Sequence, residues 1–343
     1  MASAILPGPT AAHLAFVSAL LCGGPWGCRK ATEENPRSFP ENFIFGASMA
    51  GFQVDPGCPT LAAEDCEDRA SDWYQWVTDE ELIADSSTYL SGDPLSAGPG
   101  HWELYQEDFA RAAEDLQLTG LRNSLEWSRL FPEEPQDATT VEDLAEWADP
   151  DAVQTYHDMF DAMEAVGIEP LVTLNHYTLP LWIHDGKACH EDIETCSPAG
   201  WADPERLIEQ IALYSGWCAL EFGDQVDDWL TLNEPFAVAM AGYLLPGEDR
   251  TNPPGVVQPD LAIQTIWAMV EAHGAMYDAV HAWDADARVG AAPNLAYPQP
   301  EDPDDSLDQL GAEHFDYVYN RTFLDGTVLG QLDRDLDGEA EEL

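Results

Sequence analysis

Positive charge is what this chain has least of. Against 65 Asp and Glu it carries 13 Lys and Arg, of which only Lys30 and Lys187 are lysines, for a formal net charge of −52 over 343 residues. Such a surface repels phosphate backbones and anionic membranes and needs screening by salt. That argues against a nucleic-acid partner and fits an acidic coat suited to saline or extracellular surroundings. Metal-site signatures are missing too: no cysteines are spaced C-x-x-C and no segment reads H-E-x-x-H, so no metal centre is expected. No apolar stretch is long enough to span a bilayer. No Gly-rich phosphate fingerprint follows the first apolar run, which counts against a nucleotide-binding doubly wound sheet.

What is present indicates a folded chain. Hydrophobic residues make up 45% and aromatic ones 10%, with 12 Trp, enough for one large domain or two modest ones. Of 7 cysteines, Cys58 with Cys66 and Cys189 with Cys196 form close pairs in polar, loop-like sequence. Such pairs point to local disulfides and an oxidising compartment, although spacing alone does not establish the bonds. LAFVSALL (14–21) has the length of a signal h-region, and Cys22 opens a Gly/Pro/Cys-rich stretch up to Cys28. Residues 1–38 therefore read as a leader, a signal or lipid-attachment segment, and residues 39–343 as the folded domain. The expected location is exported: periplasmic, extracellular or lipid-anchored. A cytoplasmic protein with a ragged N-terminal extension is the alternative.

From Phe39 onward, short apolar runs alternate with segments of helical period. FIFGAS (43–48), LRNSLEW (121–127), EPLVTLNH (169–176), VDDWLTLNE (226–234) and RVGAAPN (288–294) read as strands. Helices are expected over 101–120, 151–166, 204–222, 260–284 and about 306–324, the fourth turning Ile266, Met269, His273, Tyr277 and Val280 inward. Strict alternation implies an α/β protein with a parallel sheet covered by helices. Polar residues gather at the strand ends: Arg122 with Asn123, Asn175 with His176, Asn233 with Glu234, and Asn294. Chemistry at the C-terminal ends of successive parallel strands is what a (β/α)8 TIM barrel offers, and about five β/α units are present.

Residues 229–235, WLTLNEP, end a buried-looking strand in an amide, an acid and a proline. The segments FPENFIFGASMAGFQ (39–53), DWYQWV (72–77), SGDPLSAGPGHWELY (91–105), LRNSLEWSRLFP (121–132), TLNHYTLPLWIHD (173–185) and TLNEP (231–235) occur in that order. In these stretches, over about residues 39–340, the chain resembles glycoside hydrolase family 1, the retaining β-glucosidases and β-galactosidases, and especially its archaeal-type β-glycosidases. The resemblance implies that Glu234 is the general acid that protonates the glycosidic oxygen and then the base that activates water. It implies that Asn233 bonds the sugar 2-hydroxyl, and that Gln53 and His176, each able to donate and accept, hold hydroxyls of the nonreducing-end sugar. Arg122 matches the arginine that pairs with the nucleophilic carboxylate. Small β-glycosides or oligosaccharides are the implied substrates, with no cofactor. Outside the resemblance, Glu234 reads as a solvated loop acid, His176 as a core histidine, Gln53 as a surface amide and Arg122 as an ordinary salt-bridge partner.

The chain also departs from the family. A TENG-like segment carrying the nucleophile Glu, and an NYY-type tyrosine, do not occur in it. Five strands do not close an eight-strand barrel, so exposed edges on the first and fifth strands and no activity of the polypeptide alone are expected. A noncatalytic carbohydrate-binding remnant is the alternative function, and a fragment that does not fold stably is a third. Trp127 and Trp182 are candidates for walls of the site or for core packing. DRDLDG (333–338) opens like a calcium loop but reads as a charged linker, and His184, Asp185, His190, Glu191 and Asp192 read as a loop near the substrate entrance.

Overall fold

The computed structural model describes residues 39–40, 42–248, 250–334 and 339–342. It divides into two units, Met1–Phe43 and Ile44–Leu343. In the described part of the first, the Phe43 amide donates to the Pro40 carbonyl and the Phe39 and Phe43 rings lie 4.5 Å apart. The apolar run 14–21, Cys22, Cys28 and residues 335–338 of DRDLDG lie outside the described residues.

The second unit is built on five parallel strands, β1 Gly46–Ser48, β2 Gly120–Ser124, β3 Glu169–Asn175, β4 Asp228–Asn233 and β5 Arg288–Ala292, paired in chain order. Their register sets Leu121 beside Pro170, Val172 beside Trp229 and Trp229 beside Val289. Strands covered on both faces are apolar on both, and Val172, Leu174, Trp229 and Leu232 are each at most 1% exposed. The crossovers contain helices α1 His101–Glu114, α2 Pro150–Ala165, α3 Pro204–Phe222 and α4 Pro259–Trp283. Helix α5, Ser306–Asp316, follows β5 and continues through a π-turn into Thr322–Leu329. Proline opens α2, α3 and α4, where its fixed φ suits the first turn and its missing N–H costs nothing. Asp149 caps α2 by accepting from the Asp151 and Ala152 amides.

Beyond small differences at other element ends, three boundaries and one helix phase depart from the sequence reading in ways the structure explains. Helix α1 stops at Glu114, because Gln117 is left-handed and the Thr119 and Gly120 amides already donate to Phe45 O. β2 ends at Ser124, and Trp127 instead opens a short helix, Trp127–Leu130. β1 is confined to Gly46–Ser48. On α4, Tyr277 is 42% exposed and stacks near His281, while Met276 is fully buried. Met276 continues the stripe 266-269-273 at the correct angle; Tyr277 is one residue past it.

Cys58 pairs with Cys66 and Cys189 with Cys196, with Cα–Cα distances of 6.1 and 4.9 Å. Cys218 is buried and free. The sheet is open: β1 and β5 each have one neighbour, and all three residues of β1 are exposed. No helix among the described residues is long and apolar enough to cross a membrane. With a net charge of −52, raising NaCl from about 0.1 M to about 2 M is expected to lift the thermal midpoint by several degrees. A midpoint that stays flat or falls in a salt series contradicts that.

Candidate active site

β4 delivers Glu234 to the C-terminal mouth of the sheet. Its register with β5 shifts between Leu230 and Asn233, and the Glu234 amide then donates to Ala292 O at 2.9 Å. Pro235 opens the helix Pro235–Ala239 and keeps the residue before it out of the right-handed helical region. Glu234 adopts φ 44°, ψ 63°, a left-handed conformation that costs a non-glycine residue about 1–2 kcal/mol. The acid is thus turned away from the strand line and half-buried.

A cleft of about 300 Å³ opens there, and its walls include Gln53, Arg122, His176, Asn233 and Glu234. The five residues that the family resemblance points to therefore meet in one place, Arg122 on β2, Asn233 and Glu234 at the end of β4, His176 just after β3, and Gln53 in the short helix Gly51–Val54 after β1. His176 is held neutral: burial, and then the Arg122 charge, push its imidazole down to about 3. Its Nδ1 is buried without a hydrogen-bond partner. Arg122 donates from Nε to Thr173 Oγ1 at 2.8 Å and from Nη2 to Asn233 Oδ1 at 2.6 Å. Burial lowers the guanidinium below its ordinary range.

Two features were not read from the sequence. Tyr177, left-handed at φ 76°, donates its phenolic O–H to Glu234 Oε2 at 2.5 Å. The available signal was a tyrosine directly after His176 in TLNHY, at the end of a strand. The second is Glu126, only 1% exposed. Ser124 donates to its Oε1 at 2.9 Å and Thr178 to its Oε2 at 2.6 Å, while the Gly51 amide donates to Ser124 Oγ at 2.7 Å. Glu126 thereby ties the short helix Gly51–Val54, which carries Gln53, to the loop that carries His176 and Tyr177. Gly51 is required for this approach, since a Cβ there would sit 2.5 Å from Glu126 Oε1.

Other candidates are structural. Trp127 is buried and stacked on Tyr214 at 4.9 Å, and Trp182 donates its indole N–H to Phe131 O, so both pack in the body of the fold. Asn294 donates to the Tyr319 hydroxyl at 2.7 Å. In the loop after β3, His184 pairs with buried Asp72 at 2.7 Å, Asp185 caps the helix Gly186–Glu191, and His190 bonds Pro254 O. The cleft is not lined by any of these three. Among the described residues, no cluster of His, Cys, Asp and Glu has the geometry to hold a metal ion.

The profile of glycosyl hydrolase family 1 matches residues 35–342. The chain belongs to this family. It is 32% identical over 331 residues to the β-galactosidase of Pyrococcus woesei, covering 88% of this chain and 63% of that one. With the β-galactosidase of Saccharolobus solfataricus it shares 35% identity over 260 residues, 71% of this chain and 51% of the other. Among solved structures, Fpglu1 from Fervidobacterium pennivoraus superposes with a TM-score of 0.76 at 32% identity, covering 84% of this chain and 60% of that one. The β-glycosidase of Thermosphaera aggregans gives 0.75 at 28% identity, with the same coverage of 84% and 60%. The family chain described here thus spans less than two thirds of the length of these relatives. Its sheet is part of a (β/α)8 barrel, with five strands present and the barrel not closed.

Proposed function

We propose that this chain carries the sugar-binding and acid/base half of a retaining β-glycosidase site acting on terminal β-linked glucose or galactose. The observation that supports the reading most directly is the convergence of Glu234 with Gln53, His176, Arg122 and Asn233 on one cleft. In this reading the neutral His176 imidazole and the Gln53 amide, both lining the cleft, take up sugar hydroxyls. Asn233, oriented by Arg122, faces the 2-hydroxyl. Glu234 gives its proton to the glycosidic oxygen as the bond breaks and later takes one from water. Relatives named β-galactosidase, in Pyrococcus woesei, and cytosolic β-glucosidase, in Cavia porcellus, agree with that substrate class. Glu234 is the one carboxylate among the residues lining the cleft. Retaining hydrolysis needs a second carboxylate beside it, so binding without turnover is the activity expected of this polypeptide.

The test is thermal stabilisation by 1-deoxynojirimycin and by its galactose-configured epimer. Ligand at about 100 times its Kd should add about 2.7 kcal/mol to stability. His176→Ala should abolish the shift without lowering the unliganded midpoint by a comparable amount. No shift with either iminosugar at millimolar concentration would sink the reading, and a preference between them reports glucose against galactose configuration.

A further inference from the structure

We infer that Tyr177 is a positioning residue for the carboxyl of Glu234, engaging one of its two oxygens by hydrogen bond so that the other is the one that exchanges the proton. The inference rests on the acid/base reading of Glu234 for its catalytic meaning, but the contact itself is a property of the fold. Both residues occupy left-handed backbone conformations at the ends of neighbouring strands, and these conformations bring together side chains 57 residues apart in sequence. The resulting bond, 2.5 Å from the Tyr177 hydroxyl to Glu234 Oε2, is half-buried.

The direction of donation matters. A phenol whose ionisation is opposed by burial and by the adjacent carboxylate stays protonated, so its O–H is always available as a donor. A carboxylate accepts that hydrogen better than a neutral carboxyl does. Oε2 is engaged, which leaves Oε1 as the oxygen free to carry the proton that passes to the glycosidic oxygen and returns from water. Tyr177 therefore fixes which oxygen works.

The other charged groups around this pair come from three directions. Arg122 approaches from β2 and acts on both Glu234 and Tyr177. His176, neutral, lies beside Tyr177 with ring centroids 4.9 Å apart. Arg250, in the segment after the helix Pro235–Ala239, acts on the Tyr177 hydroxyl, and Glu248 lines the same adjoining hollow of about 380 Å³. Gln53, from the short helix Gly51–Val54 after β1, carries no charge. Removing the Tyr177 hydroxyl leaves this surrounding charge in place, so a change in Glu234 titration reports the hydrogen bond.

The experiment is a carbon-13 NMR titration of the ligand-free chain with labelled glutamate carboxyls, in which Glu234→Gln identifies the Glu234 resonance by its loss. Tyr177→Phe keeps the ring that stacks near Trp73 at 6.3 Å and removes the donor alone. The expected result is a Glu234 titration midpoint at least about half a pH unit higher in Tyr177→Phe, a threefold change in the ionisation constant. Equal midpoints, or a lower one in the variant, overturn the inference. Because no sugar is present, a midpoint that rises while iminosugars fail to bind keeps the contact and removes only the glycosidase reading. Iminosugar binding with unchanged midpoints does the reverse.

Discussion

A purified 343-residue chain is expected to release nitrophenol from an aryl β-glucoside at least about 10⁴-fold more slowly than a family enzyme holding both carboxyls. Double displacement needs a second carboxylate about 5–5.5 Å from the acid to form the glycosyl-enzyme bond. The cleft is lined by a single carboxylate, Glu234, and Arg122, which the family resemblance assigns to the nucleophile, is held instead by Thr173 and Asn233. A lone acid/base should still assist departure of the aglycone, with no covalent intermediate expected to follow. The same assay on Glu234→Gln should therefore differ little from the parent chain, since the missing step dominates both. Turnover close to that of a complete family enzyme would contradict the reading of Glu234 as the cleft's lone catalytic carboxylate.

The second large effect concerns the charge buried behind the cleft. Asp55, Asp68 and Glu126 are 3%, 6% and 1% exposed, and Arg129 is the cation among them. Its Nε lies 3.4 Å from Asp55 Oδ2, an ion pair without hydrogen-bond geometry, and its guanidinium sits 3.9 Å over the Trp102 ring. Ser128 donates to Asp68 Oδ2 at 2.5 Å. Arg129→Met leaves three buried carboxyls with no counter-charge and should cost about 3–5 kcal/mol in urea unfolding. A loss below about 1 kcal/mol would show that protonation alone neutralises the cluster.

Acidity should modulate that cost. Burial pushes Asp55 up to about 8 and Glu126 up to about 7, against ordinary values near 4 when unfolded. These raised groups bind protons in the fold that the unfolded chain has released. Their contribution to stability is complete below about pH 4 and is lost progressively as pH rises to about 7 for Glu126 and about 8 for Asp55, by about 1.4 kcal/mol per pH unit for each carboxyl. Unfolding in urea should accordingly be harder at pH 5 than at pH 8, and the Arg129→Met penalty should be larger at pH 8. Glu126→Gln, which keeps the shape without the titrating proton, should flatten the slope near neutrality.

Several of these elements were legible in the amino-acid order. Alternating apolar runs and helical stripes located β1 to β5 and α1 to α5 to within a few residues, because each pattern is set by local geometry and by which face meets the core. Where neighbouring elements compete for the same backbone groups, the local pattern failed, as at the end of α1, where the sheet takes Gly120. Tyr277 was misplaced because a one-residue error on a helix rotates a side chain by about 100°. The five cleft residues were recognised through the FIFGASMAGFQ, LRNSLEW, TLNHY and TLNEP segments, which lie on or just after the strands and so carry a position as well as a chemistry.

By itself, then, the sequence determined the strand–helix alternation, the acidic surface and the residue types brought to the strand ends. Tertiary structure alone decided that Tyr177 grips Glu234, that Arg122 orients Asn233 across a separation of 111 residues, and that Glu126 joins two loops. The physical reason is that parallel strands are adjacent in space but separated in sequence by whole crossover helices, so contacts at their ends depend on register and on backbone conformations such as the left-handed Tyr177 and Glu234.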